Sequence, residues 1–248
     1  MKDYEADATL SEELQYYHEK ALEYGKEVIG YLDDDYLVEP SETEIPNSII
    51  KDSALIDLIN DVQLYYSNAD ISATQSLNNN ANLYRGDIKR YDVSLIYKYD
   101  NTLYKLEITG KQLKEIMEWS YSFFNTSIDG EISINEEKKD YNYYVFAGVN
   151  YEVNLTKEVG SRIENLTRSD GAPIEDSDEF TIAVNNYFAS SYLLKSGTIF
   201  KEGEELPKLL ESDIKSLGIK DLIIDYIANV KNGIITASCD NNWYIVTK

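Results

Sequence analysis

Apolar positions along this 248-residue chain change their spacing several times, and each change marks a new element. Leu10, Leu14, Tyr17, Ala21, Tyr24 and Val28 recur three and four residues apart, which predicts a first helix with Gly30 just past its end. Thr9 and Glu12 have capping-box spacing at its start. The polar stretch "YLDDDYLVEPSETEIP" then reads as an irregular connection. A second helix is expected over roughly 48–67, with Leu55, Leu58, Ile59, Val62 and Tyr66 on one side. "ADISATQ" reads as a strand, "SLNNNANLYRGD" as a loop, "TLYKLEI" as a strand, and 109–124 as a helix opened by a Thr109–Gln112 capping box. Its buried stripe is Leu113, Ile116, Met117, Ser120 and Phe124.

From Tyr144 the period becomes two. Val145, Ala147, Val149, Tyr151, Val153 and Leu155 alternate with more polar neighbours, which predicts one long strand. "SRIENLT" and "EFTIAVNN" follow as strands, 219–231 as a helix, and "NWYIVTK" as a closing strand. Helices and strands mix without regular βαβ alternation, so the fold class is α+β.

Charge changes the picture more than composition does. Against 45 acidic residues stand 23 basic ones, for a net charge of −22. Such a surface repels phosphate backbones and anionic lipid, which argues against a nucleic acid polymer as partner. No apolar run is long enough for membrane insertion, and the acidic N-terminus does not read as a signal peptide. The single cysteine, Cys239, allows neither an intrachain disulfide nor a thiolate cluster. The 22 tyrosines combine apolar area with a polar tip, and most of them are expected to serve packing.

The inventory of reactive side chains excludes several enzyme classes. The one histidine, His18, sits in "QYYHEKA" on a helical face and reads as a surface residue. One imidazole cannot build a binuclear metal centre, and no G-x-S-x-G, G-x-G-x-x-G or Walker loop occurs. No catalytic residue is therefore assigned. Asp33, Asp34 and Asp35 lack EF-hand spacing and read as a solvated acidic loop. Arg85-Gly86-Asp87 reads as a turn, and the sequons at Asn125, Asn154 and Asn165 matter only in a glycosylating host.

The ordered set "DSALIDLINDVQ", "ADIS", "GDI", "NTL", "ITGKQLKEIMEWS", "FAGVNYEVNLTKEVGSRIENLT", "FTIAVNNYFAS" and "DNNW" resembles the C-terminal domain of the 5'-nucleotidase and 2',3'-cyclic-nucleotide 2'-phosphodiesterase family. The resemblance runs from about His18 to Trp243. It implies a layered α/β/β/α domain with mixed sheets over residues 31–248, preceded by a connecting helix over 1–30. It also implies a bacterial, extracellular or cell-surface parent hydrolase of nucleotide catabolism. That parent would have an N-terminal metallophosphatase domain holding divalent metals, and this chain would carry no cofactor of its own and would be inactive alone. In the family the C-terminal domain holds the nucleoside part of the substrate between two aromatic rings. Tyr99 and Asn101 match the first jaw, and Tyr187 following Asn185-Asn186 matches the second. Two rings from separate loops form a slot for a flat base, each stacking contact contributing about 1–3 kcal/mol, and an amide can read the base edge.

Two departures from the family pattern stand out. Where many members have a glycine-rich stretch with Arg, this chain reads "TQSLNNNANLYRGD", with Arg85 only near its end. Where members read close to "NNYRASGGG", it has "NNYFASSYLL", with Phe188 in place of the Arg. Segment 75–85 thus lacks the glycine pair, and segment 187–197 the arginine, through which family members usually meet phosphate. The alternative is a stand-alone binding domain or a surface structural domain whose nucleotide pocket has degenerated.

Overall fold

A computed structural model describes residues 8–248 except Leu77 and Asn79, with the side chains of Ala8 and Ser11 also undescribed. The chain runs α1 (Ala8–Gly25), β1 (Val28–Tyr36), α2 (Asn47–Ile50), α3 (Ala54–Ser67), β2 (Ile71–Thr74), β3 (Tyr84–Lys89), α4 (Arg90–Ile96), β4 (Leu103–Thr109) and α5 (Gly110–Tyr121). It continues through β5 (Val145–Ala147), β6 (Val149–Asn154), β7 (Ile163–Arg168), β8 (Glu179–Asn185), α6 (Asn186–Phe188), β9 (Lys208–Glu211), α7 (Ile219–Asp225), β10 (Ile234–Ile235) and β11 (Trp243–Val246). The fold is the layered α+β arrangement with mixed sheets that the sequence suggested.

The central sheet has the order β5-β2-β8-β4-β9, with β2 and β8 parallel and the other pairs antiparallel. It separates two cores. Ile182 and Val184 of β8 face one core with Leu113, Ile116 and Met117 of α5, while Ala183 faces the other with Leu55, Ile59 and Val62 of α3. Smaller sheets, β10-β1-β3 and β11-β6-β7, complete the molecule.

The β4–α5 corner follows its sequence closely. Thr109 accepts from the Gln112 N–H and the Gln112 amide accepts from the Thr109 N–H, closing the capping box. Gly110 is needed because the backbone of Glu175 presses on it: a Cβ here would lie 2.1 Å from the Glu175 carbonyl oxygen.

Several expectations are corrected. The first helix ends at Gly25, not near Gly30, and Val28 begins β1. Thr9 lies inside the helix, since Ala8 is already helical. The acidic stretch is a strand through Tyr36 because β3 and β10 pair with it, and Arg85 on β3 ion-pairs with Asp33 and Asp35 across the ladder. The helix expected over 48–67 is broken at 51–53, where Lys51 turns extended. "YRGD" belongs to β3 rather than to a loop, and Leu77 and Asn79 of that loop lie outside the described residues. The long strand from Tyr144 is two strands in two sheets. Gly148 divides them with φ 87°, and a Cβ there would lie 2.2 Å from the Asp70 carbonyl oxygen.

Candidate functional site

Tyr99, Asn101 and Tyr187 come together on one cleft of about 390 Å³, whose other lining residues are Gln75, Asp100 and Tyr141. The sheet brings them there. Tyr99 and Asn101 lead into β4, Tyr187 follows β8, and the two strands pair antiparallel with Leu103 opposite Asn185. Both segments therefore leave the same end of neighbouring strands.

Asn186 has a different task from the other three. It does not line the cleft; its side-chain oxygen accepts from the Thr102 N–H at 3.2 Å, and its own N–H donates to the Thr102 carbonyl at 2.9 Å. Those bonds continue the β4–β8 ladder by one residue and tie together the segments that carry Tyr99 and Tyr187. Asn185 caps the turn beyond, accepting from the Phe188 N–H at 2.8 Å. On the other side, Ile219 donates its N–H to the Asn101 carbonyl, which pins the β4 lead-in to the start of α7.

Tyr99 and Tyr187 are about half exposed, at 48% and 39%. Tyr187 stands nearly perpendicular to Tyr141 and to Tyr192, with ring centres 6.3 and 6.0 Å away. The Tyr192 hydroxyl and partial burial push the Tyr187 phenol up to about 12, so the ring stays neutral at physiological pH. The altered "FASSYLL" segment does not fill the cleft. Phe188 is buried and stacks on Tyr144 at 3.7 Å, and Leu193 belongs to the core.

Gln75 and Tyr141 were not singled out in the sequence. Gln75 is buried just past β2, accepts from the Asn185 amide at 3.2 Å and donates to the Tyr141 carbonyl at 3.3 Å. Behind it the buried Tyr144 phenol, held above its usual pKa by burial, lies near Gln75 and Asn185. A glutamine closing a strand carries no sequence signal by itself, and Tyr141 sits in a run of tyrosines and charges that looks like a solvated loop.

The charges around the cleft are few. Asp100 is the one ionised side chain among the lining residues, and it pairs with Lys220. Lys98 lies over the Tyr99 ring at 5.6 Å. Arg85 is committed to Asp33 and Asp35 and does not line the cleft. The arrangement suits a flat, neutral ring system held by stacking and amides better than it suits a bare phosphate.

With the fold and the cleft described, comparison with known proteins gives the family of this chain. The family model "5'-nucleotidase, C-terminal domain" matches residues 28–192, and the chain belongs to that family. It is 28% identical to the "Trifunctional nucleotide phosphoesterase protein YfkN" of Bacillus subtilis, over 96% of this chain and 17% of that protein. It is 32% identical to a Haemophilus influenzae "2',3'-cyclic-nucleotide 2'-phosphodiesterase/3'-nucleotidase", over 65% of this chain and 26% of that one. Among solved structures, a Staphylococcus aureus protein in complex with alpha-ketoglutarate superposes with TM-score 0.78 at 20% identity, covering 98% of this chain and 44% of that one. The chain thus spans about a sixth to a quarter of the curated relatives' lengths.

Proposed function

We propose that this chain is the nucleoside-binding part of a nucleotide hydrolase, with the hydrolytic step carried out by a metallophosphatase domain that holds divalent metals. The observation that carries the reading is the convergence of Tyr99 and Tyr187 on one cleft from paired strands, with the Asn101 and Gln75 amides beside them. Stacking on both faces supplies affinity for any base, and the amides supply edge contacts. The family assignment and the names of the relatives point to the same substrate class. Because few cations stand at the cleft, the base and ribose carry recognition in this domain, and the phosphate is handled by the metals. An extracellular or cell-surface parent fits the same reading.

Titration calorimetry of the chain with adenosine, AMP and inorganic phosphate tests it. Adenosine and AMP should bind with similar, weak affinity and phosphate should not bind. Binding of phosphate alone, or of neither nucleoside nor nucleotide, would sink the reading.

A further inference from the structure

Tyr141 lines the aromatic cleft with its ring turned 78° from that of Tyr187, the ring centres 6.3 Å apart. A flat ligand stacked on Tyr187 lies parallel to that ring, at about 3.5–4.0 Å. Tyr141 then stands nearly perpendicular to the ligand and meets its edge, not its face. Tyr192 is also set crosswise to Tyr187, but it does not line the cleft. Of these two crosswise rings, Tyr141 alone faces the ligand space.

Such a wall discriminates only if it cannot move aside. Tyr141 belongs to a single 3-10 turn, Asp140–Asn142, and its ring is 39% exposed, so side-chain packing alone does not fix it. Its backbone is fixed from two sides. The two residues that follow are buried: Tyr143 stacks on Phe123 and donates to the Ile49 carbonyl, while the N–H and carbonyl of Tyr144 both bond the Ser120 hydroxyl. From the other side the Gln75 amide donates to the Tyr141 carbonyl at 3.3 Å.

The direction of that amide is forced. The Phe188 N–H can only donate, so Asn185 meets it with its oxygen and turns its NH2 towards Gln75. Gln75 answers with its own oxygen, which leaves its NH2 for the Tyr141 carbonyl, a group that can only accept. The relay is anchored on a backbone group at each end. It ties Tyr141 to the end of β8, from which Tyr187 also departs.

Resting on the nucleoside-binding reading above, we propose that Tyr141 determines specificity in this cleft: it abuts the edge of a base stacked on Tyr187, admits a base of ordinary outline, and rejects one with bulk added on that edge. Tyr99 and Tyr187 decide how tightly a base is held, and Tyr141 decides how wide a base fits. Extra atoms pressed against a fixed ring cost enough to lower affinity about tenfold or more.

Titration calorimetry of the chain tests this with three ligands: adenosine, ethenoadenosine with a further ring fused at the amino edge, and a deazaadenosine bearing a phenyl group on its five-membered ring. The parent chain should bind adenosine and should bind at least one of the enlarged nucleosides about tenfold more weakly. Tyr141→Ala should bring that nucleoside to within about threefold of adenosine, and Tyr141→Leu should do so partway. Tyr141→Phe keeps the ring and should keep the parental ratio. The ratio is the decisive readout, because a general loosening of Tyr187 would weaken all three ligands alike. Equal binding of the three by the parent overturns the proposal, as does a parental ratio retained in both Tyr141→Ala and Tyr141→Leu. If the parent binds no adenosine, the nucleoside-binding reading falls and this proposal with it; if adenosine binds and the ratio does not respond, this proposal alone falls.

Discussion

Tyr187 is held from behind rather than from the cleft. Asn185 caps the turn under it, Asn186 fastens that turn to Thr102, and Tyr141 and Tyr192 brace its ring. The ring can therefore be removed without loosening its support. Tyr99→Ala and Tyr187→Ala are each expected to weaken adenosine binding by about tenfold, in line with one lost stacking contact. The unliganded melting temperature should stay close to that of the parent chain, because both rings are about half exposed. Asn186→Ala should act oppositely: it leaves the lining intact but removes the acceptor of the Thr102 N–H, so stability falls by about 1 kcal/mol. Paired calorimetric and denaturant titrations separate the two kinds of loss.

Element by element, the chain was legible wherever local chemistry and tertiary packing agreed. The β4–α5 corner is the clearest case, since the capping box and the apolar stripe both survive into the structure. The regular alternation after Tyr144 misled because period two continues across Gly148 while the chain changes sheets; only the positive φ of that residue marks the break. Gly148→Ala is expected to cost about 2–4 kcal/mol, as a denaturant melt would read it. β1 was hidden for another reason. Three consecutive aspartates look like a solvated loop until Arg85 from a distant strand neutralises two of them. Tyr99 and Tyr187 were singled out through the family resemblance and do line one cleft, whereas Gln75 and Tyr141 join them only through folding. A further link, between α3 and α7, yields a pH test. The Tyr66 hydroxyl and the Asn229 amide donate to Asp225 and hold its carboxyl below the usual range. A depressed carboxylate stabilises the fold above its unfolded pKa and loses that contribution as pH falls through the folded value. Tyr66→Phe should thus lower the Tm at neutral pH, and the difference should shrink as the solution is acidified below about pH 4.

At the scale of the molecule, two cores flank one sheet and α1 stands outside both. Its Leu14 and Tyr17 are 52% and 68% exposed, and the helix meets the body near its end, where Arg90 lies over Tyr24 and bonds Glu27. Leu14→Glu and Tyr17→Glu should change stability by no more than about 0.5 kcal/mol, while Leu113→Ala, in the core under α5, should cost about 2–5 kcal/mol. Chemical denaturation of the three variants would show the contrast. A last consequence follows from the ladder that ends at Leu103 and Asn185. Neighbouring strands keep a fixed distance of about 4.8 Å, so the segments that carry Tyr99 and Tyr187 are anchored to one another through the sheet, and parting their roots means unzipping it.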